Sequence, residues 1–242
     1  MGGTAGLRRR VLLASAAGLA FFTAFAVNDV GRLEVSHLEA GIGSRVVFLP
    51  DLHLHSLGGY EQAIVEKVNT ISPDVVILGG DMVDGLTRDI WVLESFAGSV
   101  QAAEKFYVLG NHDYWSGYSR RVRAILEGSG FVELDGVTPS RILGRVYGFD
   151  WNDARVYPRV RFEGLAVAHD PNAADYIEGP SLMLAGHTHG GFYLGGLAVY
   201  SNSRYASGLY RLPRGRLLYV SRGLGQMLPI RPFSPPEILV VT

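Results

Sequence analysis

Five short apolar runs, each followed at once by glycine or by polar residues, constrain the fold of this chain more than any other feature of its sequence. The runs are RVVFL (45–49), VVIL (75–78), FYVL (106–109), LAVA (165–168) and LMLA (182–185). Their length and abrupt ends are typical of buried β-strands. Between the first two runs, apolar residues recur at helical spacing over residues 60–71, which predicts a helix. Strands that alternate with helices predict an α/β fold.

Three further segments complete the predicted secondary structure. Residues 120–126 indicate a second helix, which ends near Gly128. GLYRL and RLLYV on either side of PRG are typical of a β-hairpin, and EILVV (237–241) of a final strand. A mixed sheet or a second sheet is therefore expected. No internal repeat or low-complexity linker divides the sequence after residue 30, so we expect one domain over residues 30–242.

The first 29 residues form a separate segment. Three arginines (8–10) precede an uncharged and mostly apolar run (11–27). This order is typical of a signal peptide or a membrane anchor, and both alternatives stay open because a full span needs ~20 residues. Either one predicts an exported or membrane-anchored protein whose remaining chain lies outside the cytoplasm. A cytoplasmic, membrane-associated protein is the alternative.

Polar side chains gather directly after each of the five predicted strands. The segments are PDLH (50–53), GGDMVD (79–84), GNHD (110–113), HD (169–170) and GHTH (186–189). They hold five of the seven histidines of the chain, which chance would scatter. Because functional groups of α/β sheets collect beyond the carboxyl ends of strands, we expect these segments to meet at one site.

The residue types in these segments fit a metal site. A lone histidine is more often structural than a ligand, but five clusters together argue against a purely structural role. Carboxylate, imidazole and amide oxygen suit Mn, Fe, Zn or Co, and the absence of cysteine argues against a closed structural zinc site. In an extended segment Asp51 and His53 would point to the same side, and so would His187 and His189. The glycines are expected to let the backbone approach a bound phosphate.

In this order, DLH, GGD, GNHD, AHD and GHTH resemble the five motifs of the calcineurin-like metallophosphoesterases. The resemblance runs from about residue 45 to the C terminus. It is strongest to the small bacterial YkuE-like members, because GNHDYW and GHTHGG of this chain also resemble their motifs. It implies an αββα four-layer sandwich of two mixed β-sheets flanked by helices. It also implies a two-metal site at the strand ends.

By this resemblance, two divalent metal ions share seven ligands. One ion is assigned to Asp51, His53, His189 and the bridging Asp81, and the other to Asp81, Asn111, His169 and His187. Manganese is the expected metal, with Fe, Zn, Co, Ni and Mg as alternatives. The resemblance also assigns His112 to protonate the leaving oxygen and Asp84 to orient His112.

Other polar residues near the motifs are interpreted as structural. Asp113 and Asp170 are expected to act as turn residues or as acceptors behind the ligands. His37 and His55 are interpreted as loop residues, and Arg222 as a salt-bridge partner. Two positions depart from the family pattern: Pro50 stands where serine is usual before the first motif, and Phe192 where glutamine often follows GHTHGG.

The expected function is a two-metal-dependent phosphohydrolase (a phosphodiesterase, pyrophosphatase or phosphatase) in which a metal-bound hydroxide attacks phosphorus. An alternative is a UDP-2,3-diacylglucosamine pyrophosphatase of lipid A synthesis, because the apolar N terminus and five aromatic residues fit a lipid-linked substrate: Tyr114, Trp115, Tyr118, Phe192 and Tyr193. A rival of another class is a non-catalytic metal-binding scaffold, although such proteins typically lose residues that this chain keeps. With 22 basic and 23 acidic residues, the chain lacks the basic surface of a nucleic-acid binder.

Overall fold

The computed structural model describes residues 15, 31–194, 197–227, 231 and 234–242, with only the backbone described for residues 192–194 and 197–200. The segment predicted to be a signal peptide or an anchor lies outside these residues except for Ser15. Within the described part, no helix is both long and apolar enough to cross a membrane. The division into residues 1–29 and 30–242 stays a prediction.

Sixteen strands and four α-helices make up the regular structure of the described residues. The strands are β1 (Glu34–Leu38), β2 (Val46–Leu49), β3 (Val75–Gly79), β4 (Glu104–Val108), β5 (Val132–Glu133), β6 (Gly136–Ser140), β7 (Gly144–Phe149), β8 (Val160–Arg161), β9 (Gly164–Ala168), β10 (Ile177–Glu178), β11 (Ser181–Ala185), β12 (Phe192–Leu194), β13 (Leu197–Tyr200), β14 (Gly208–Leu212), β15 (Arg216–Val220) and β16 (Glu237–Val241). The helices are α1 (Gly59–Ile71), α2 (Trp91–Ser99), α3 (Asn111–Trp115) and α4 (Ser119–Gly128), and 3₁₀ turns span Pro171–Tyr176 and Pro213–Gly215.

Two six-stranded mixed sheets pack against each other. The first has the order β1-β16-β2-β3-β4-β5, with β2 to β5 parallel, and the second has the order β14-β15-β11-β9-β7-β6, with its four middle strands parallel. The carboxyl ends of parallel neighbours share one edge of a sheet. The loops after β2, β3, β4, β9 and β11 therefore start from the same end of the sandwich.

The apolar residues form three buried layers. Phe48, Ile77 and Leu184 belong to the layer between the sheets, while Ile64 and Phe96 join the outer face of the first sheet to α1 and α2. Because β2 and β3 are buried on both faces, their sequences are continuous apolar runs rather than alternating ones. The outer face of the second sheet is covered by the 3₁₀ turn 171–176 and by loop residues.

The structure confirms the predicted sandwich of two mixed sheets; α-helices flank the first sheet, and a 3₁₀ turn with loop residues takes that place on the second. All five predicted strands are present, the predicted helices correspond to α1 and α4, and β14 and β15 form the predicted hairpin. The final strand, β16, lies between β1 and β2 of the first sheet, a position that its apolar pattern does not specify. The short α3 was not predicted; it begins at Asn111, within the GNHD motif.

Candidate metal centre

The seven predicted ligands meet at the end of the sandwich where the parallel strands finish. β2 leads to Asp51 and His53, β3 to Asp81, β4 to Asn111, β9 to His169, and β11 to His187 and His189. All but His189 are at most 8% exposed, and the side chain of His189 is 31% exposed. Buried carboxylates require a compensating charge, and this cluster sets two of them among four imidazoles.

Asp51, His53 and His189 form the first potential ligand group, with one ligand atom of each within 4.8 Å of the others. His189 donates from Nδ1 to the Gly225 carbonyl oxygen at 3.1 Å, which leaves its Nε2 unprotonated and 4.0 Å from Asp51 Oδ1. His53 donates from Nδ1 to Asp84 Oδ2 at 2.8 Å. A histidine held by a carboxylate behind it is typical of metal ligands.

The other ring nitrogen of His53 is the strongest indication that a cation belongs here. Nε2 of His53 is buried and has no hydrogen-bond partner among the described residues. Buried polar side-chain atoms nearly always have a partner, so an orphaned imidazole lone pair beside two carboxylates fits a metal ion. The nearest carboxylate oxygen reported is Asp81 Oδ2, at 3.8 Å from Nε2.

Asp81, His169 and His187 form the second group, also within 4.8 Å. His169 donates from Nδ1 to the Gly79 carbonyl oxygen at 2.9 Å. Its Nε2 then lies 3.1 Å from Asp81 Oδ2, 3.1 Å from Asn111 Oδ1 and 3.2 Å from His187 Nδ1. A neutral ring would direct its lone pair at other acceptors, so the arrangement calls for a cation.

The pKa values show the same demand for positive charge. Burial opposes a charged imidazole at His169, but the Asp81 carboxylate outweighs it and raises the pKa of His169 to about 10. Burial favours a neutral carboxyl at Asp81, yet His169 and His53 hold the pKa of Asp81 below its usual range. Burial also lowers the pKa of His187 to about 3, with His169 as the next cause. The cluster therefore pairs an anionic Asp81 with a protonated His169, whose positive charge a bound metal ion would replace, and keeps His187 neutral.

Five of the predicted ligands have a left-handed backbone. Their φ angles are 55° at Asp51, 44° at His53, 54° at Asp81, 73° at His187 and 50° at His189. Such a residue costs about 1–3 kcal/mol and persists only where its surroundings impose it, as at functional sites. The expectation that Asp51 and His53 share an extended segment was wrong, because the chain leaves β2 and turns so that both side chains reach over the strand ends.

Two glycines make room for these side chains. Gly110 packs so closely against Asp81 that a methyl group there would overlap the Asp81 carboxylate and backbone. Gly80 has a φ of +90°, and a methyl group there would lie 2.5 Å from His169 Nδ1. These glycines were expected to let the backbone approach a phosphate; in the structure they allow the ligand side chains to pack against the backbone.

Asp84 lies directly behind His53, and it is also near enough to His112 for its charge to oppose the lowering of that ring's pKa by burial. Its carboxylate accepts hydrogen bonds from His53 Nδ1 and also from His55 Nε2, at 2.9 and 3.0 Å. Although burial opposes the charged form, these bonds hold the pKa of Asp84 below its usual range. His55, interpreted as a loop residue, is thus the second ring on this carboxylate. The signal for it was its position two residues after His53, on the same DLHLH segment.

His112 lies at the edge of the cluster. Its backbone N–H donates to Asp81 Oδ1 at 2.7 Å, and its ring centroid is 5.0 Å from that of His53. Burial lowers the pKa of His112, while Asp81 opposes this change. The ring therefore borders the predicted ligands without belonging to either group of three.

The structural interpretation of three neighbouring residues is confirmed. Asp113 accepts backbone N–H groups of Asp81 and Gly110 at 2.8 and 2.9 Å, so it ties two strand-end loops together. Asp170 accepts from Arg155 and, at 3.0 Å, from the Tyr157 hydroxyl. The third residue, Arg222, forms salt bridges with Glu34 and Glu237 at 3.0 and 3.4 Å.

A cleft of about 360 Å³ opens over the cluster, bordered by Asp81, Asn111, His112, His187 and His189. Of the predicted aromatic residues, Trp115 lines it. Four residues that the sequence analysis missed also line it: Trp151, Asp153, Arg155 and Asn202. The signal for Trp151 was weak, because glycine interrupts the apolar run of β7 that precedes it.

Two other predicted aromatic residues lie away from this cleft. The Tyr114 hydroxyl donates to Asp150 and accepts from Arg123, and the Tyr114 ring packs on the core under the helices. Tyr118 packs on the same core. The side chains of Phe192 and Tyr193 lie outside the described residues.

Comparison with known proteins identifies relatives of this chain. The metallophosphoesterase Cj0846 of Campylobacter jejuni is 28% identical over 229 residues, which cover 86% of this chain and 61% of that protein. The metallophosphoesterase YkuE of Bacillus subtilis is 28% identical over 229 residues, which cover 83% of this chain and 79% of YkuE. The UDP-2,3-diacylglucosamine pyrophosphatase LpxG of Chlamydia muridarum is 26% identical over 273 residues, which cover 82% of this chain and 83% of LpxG. The chain thus spans less than two thirds of the Campylobacter protein. The family model of the calcineurin-like phosphoesterases matches residues 44–191, a segment that includes every predicted ligand. The chain belongs to the calcineurin-like phosphoesterase family.

Proposed function

We propose that this chain is a phosphohydrolase that requires two divalent metal ions. The observation that carries the proposal is the position of one oxygen atom. Oδ2 of Asp81 lies 3.8 Å from the unpartnered Nε2 of His53 and 3.1 Å from Nε2 of His169. The same atom therefore faces both ligand groups, as a bridging ligand must.

The ligand set supports borderline metals. One ion would be held by Asp51, His53, His189 and Asp81, and the other by Asp81, Asn111, His169 and His187. Imidazole nitrogen mixed with carboxylate and amide oxygen suits Mn, Fe, Zn, Co or Ni better than Mg, which prefers oxygen ligands alone. Manganese is the metal to test first.

The residues around the ions perform the remaining work of the reaction. Divalent ions bound at such a site supply an activated water and neutralise charge on the phosphoryl oxygens. His112, at the edge of the cleft, is proposed to pass a proton to the leaving oxygen. Its backbone bond to Asp81 fixes the start of α3 against the site. Asp84 orients His53 from behind.

Hydrolysis of bis-p-nitrophenyl phosphate and p-nitrophenyl phosphate across Mn, Ni, Mg and Zn tests the proposal. Metal-dependent turnover of the diester, the monoester or both is expected, and it is absent from the metal-free protein. A protein that binds metal but turns over neither ester would instead be the non-catalytic scaffold. Retention of His112 and of all seven ligands argues against a scaffold.

The N-terminal sequence supports a proposal about where in the cell the protein acts. Arg8, Arg9 and Arg10 before the apolar run 11–27 favour export or anchoring, with residues 30–242 outside the cytoplasm. A fusion of residues 1–35 to a reporter that is active only after export is expected to be active. The control is the same fusion starting at residue 31, which is expected to be inactive.

A second candidate substrate is an acylated UDP-sugar, because the relative LpxG is named as a pyrophosphatase of that compound and the match covers 83% of its length. Such a nucleotide substrate is cytoplasmic. If the fusion reporter stays in the cytoplasm, this candidate becomes the favoured one.

A further inference from the structure

The mouth of the cleft carries a pair of tryptophans fixed to one carboxylate oxygen. The indole N–H groups of Trp115 and Trp151 both donate to Asp153 Oδ1, at 2.9 and 2.7 Å. The two rings meet edge to face, with centroids 6.1 Å apart. Since both indoles share one acceptor, neither ring can rotate without losing its bond, so the pair presents a rigid surface.

This tryptophan pair (Trp115 and Trp151) adjoins the proposed chemistry. The Trp115 ring centroid lies 5.4 Å from that of His112, the proposed proton donor. The Trp151 ring centroid lies 5.1 Å from that of His187, a proposed metal ligand. A leaving group that His112 protonates would therefore lie within reach of the Trp115 ring. The side chain of Trp115 is available to it, since this residue is 60% exposed.

The rest of the cleft is polar. Eight of the ten described residues that line it have polar or charged side chains, and the two tryptophans are the exceptions. An acyl chain needs an enclosed apolar channel, whereas a flat ring needs one flat apolar face. The described residues that line the cleft offer such a flat apolar face and no enclosed apolar channel. Its volume of about 360 Å³ is at the small end of the range of about 300–1,000 Å³ for ligand pockets.

The charges favour a single phosphate. Arg155 is the one cationic side chain among the described residues that line the cleft. Its guanidinium is already committed, because Nε donates to Asp170 Oδ2 at 2.8 Å and Nη1 to the Asn202 carbonyl oxygen at 2.6 Å. A second phosphate beyond the ions would find no free cation among these residues.

We infer that the substrate is a phosphoester that carries an aromatic ring, an aryl group or a nucleobase, which stacks on Trp115 beside His112. The inference rests on the proposed function, since the proposed metal ions hold the phosphate. Trp115 determines specificity by contact with the ring, and Asp153 acts as a positioning residue.

Tryptophan fluorescence can measure this recognition without turnover. The chain has three tryptophans, and the third, Trp91, begins α2 and does not line the cleft. In a Trp91→Phe background every remaining tryptophan therefore reports from the cleft. The metal-loaded protein is titrated with methylphosphonate, phenylphosphonate, hexylphosphonate and a non-hydrolysable methylenephosphonate analogue of AMP.

Phenylphosphonate is expected to bind about ten-fold more tightly than methylphosphonate, as one stacked ring implies. Addition of Trp115→Ala, with Trp151 as the remaining reporter, is expected to bring that ratio below about two-fold, since the stacking contribution is lost. Asp153→Ala is expected to reduce the ratio and Asp153→Asn to restore it, because the amide oxygen still accepts both indoles. The relative affinities of phenylphosphonate and the AMP analogue distinguish an aryl group from a nucleobase.

Two results would overturn the inference: a ratio unaffected by Trp115→Ala, or hexylphosphonate that binds at least as tightly as phenylphosphonate. The second would point to an acyl group. Turnover of methyl p-nitrophenyl phosphate by the same Trp91→Phe protein tests the proposed function separately. Absence of turnover with an intact ring preference contradicts the hydrolase, and turnover without a ring preference contradicts the stacking.

Discussion

Replacement of Asp84 by asparagine distinguishes the geometry seen here from the role that the family motif implies. The Asp84 carboxylate accepts from His53 Nδ1 at 2.8 Å and from His55 Nε2 at 2.9 Å. Asparagine keeps the shape of the side chain but removes its charge. If Asp84 orients a metal ligand, the substitution weakens metal binding; if it orients His112, the substitution slows leaving-group departure.

The expected loss of metal affinity follows from the hydrogen bond between His53 and Asp84, because its acceptor loses its charge. A hydrogen bond to a charged group contributes about 1.5–3 kcal/mol, and the loss of a carboxylate behind a histidine ligand typically costs about 10- to 100-fold in metal affinity. We expect Asp84→Asn to raise the Kd for Mn²⁺ by about 10- to 100-fold. At saturating metal, kcat is expected to stay within about three-fold of the wild type, since the charge does not contact substrate.

Isothermal titration of the metal-free protein gives the Kd, and turnover of a diester with a poor leaving group gives kcat. His55→Ala is the matched control, because it removes the other ring from Asp84 and leaves the His53 bond intact; its effect on Kd is expected to be smaller. Unchanged metal affinity together with a large loss of kcat would refute this role and indicate that Asp84 orients His112.

Three other predictions follow from single contacts. His112→Asn is expected to keep both metals but to lower kcat by about 10²–10⁴-fold with a poor leaving group, measured against metal content; a rate near that of the wild type would remove His112 as the acid. Gly110→Ala is expected to abolish metal binding because its methyl group overlaps Asp81, whereas Gly98→Ala, whose methyl group would meet no atom beyond its own helix turn, is expected to retain it; calorimetry of both distinguishes them. Removal of metal by chelation is expected to lower Tm, because acceptor atoms around His169 Nε2 then lose the cation between them; an unchanged Tm would count against this arrangement.

Much of the fold was predictable because buried parallel strands have a plain sequence signature. β2 and β3 are buried on both faces, so each appears as an unbroken apolar run that ends abruptly. The short β5 and the glycine-interrupted β7 lack such runs and escaped prediction. The place of β16 between β1 and β2 depends on pairing between distant segments, which no local pattern records.

The positions of the ligands were predictable and their backbone conformation was not. Residues that follow parallel strands lie at the same end of a sheet, whatever the geometry of each turn. The sequence pattern was therefore enough to predict that Asp51 and His169 belong to the same site. The left-handed φ of Asp51 is imposed by tertiary packing; Asp and His are enriched in this region, but residue type alone does not specify it. The roles of Asp84 and Trp151 likewise depend on which loops pack together.

The metal content of active protein tests the central claim most directly. Purified protein is made metal-free, titrated with Mn²⁺, and assayed for diester hydrolysis at each step while bound metal is measured by mass spectrometry. We predict that the protein binds two ions per chain, that activity rises with occupancy of both sites, and that Asp81→Asn weakens both together because this residue faces both ligand groups. Full activity with one ion or none, or an Asp81→Asn protein that binds two ions as tightly as the wild type, would contradict the bridged two-metal site.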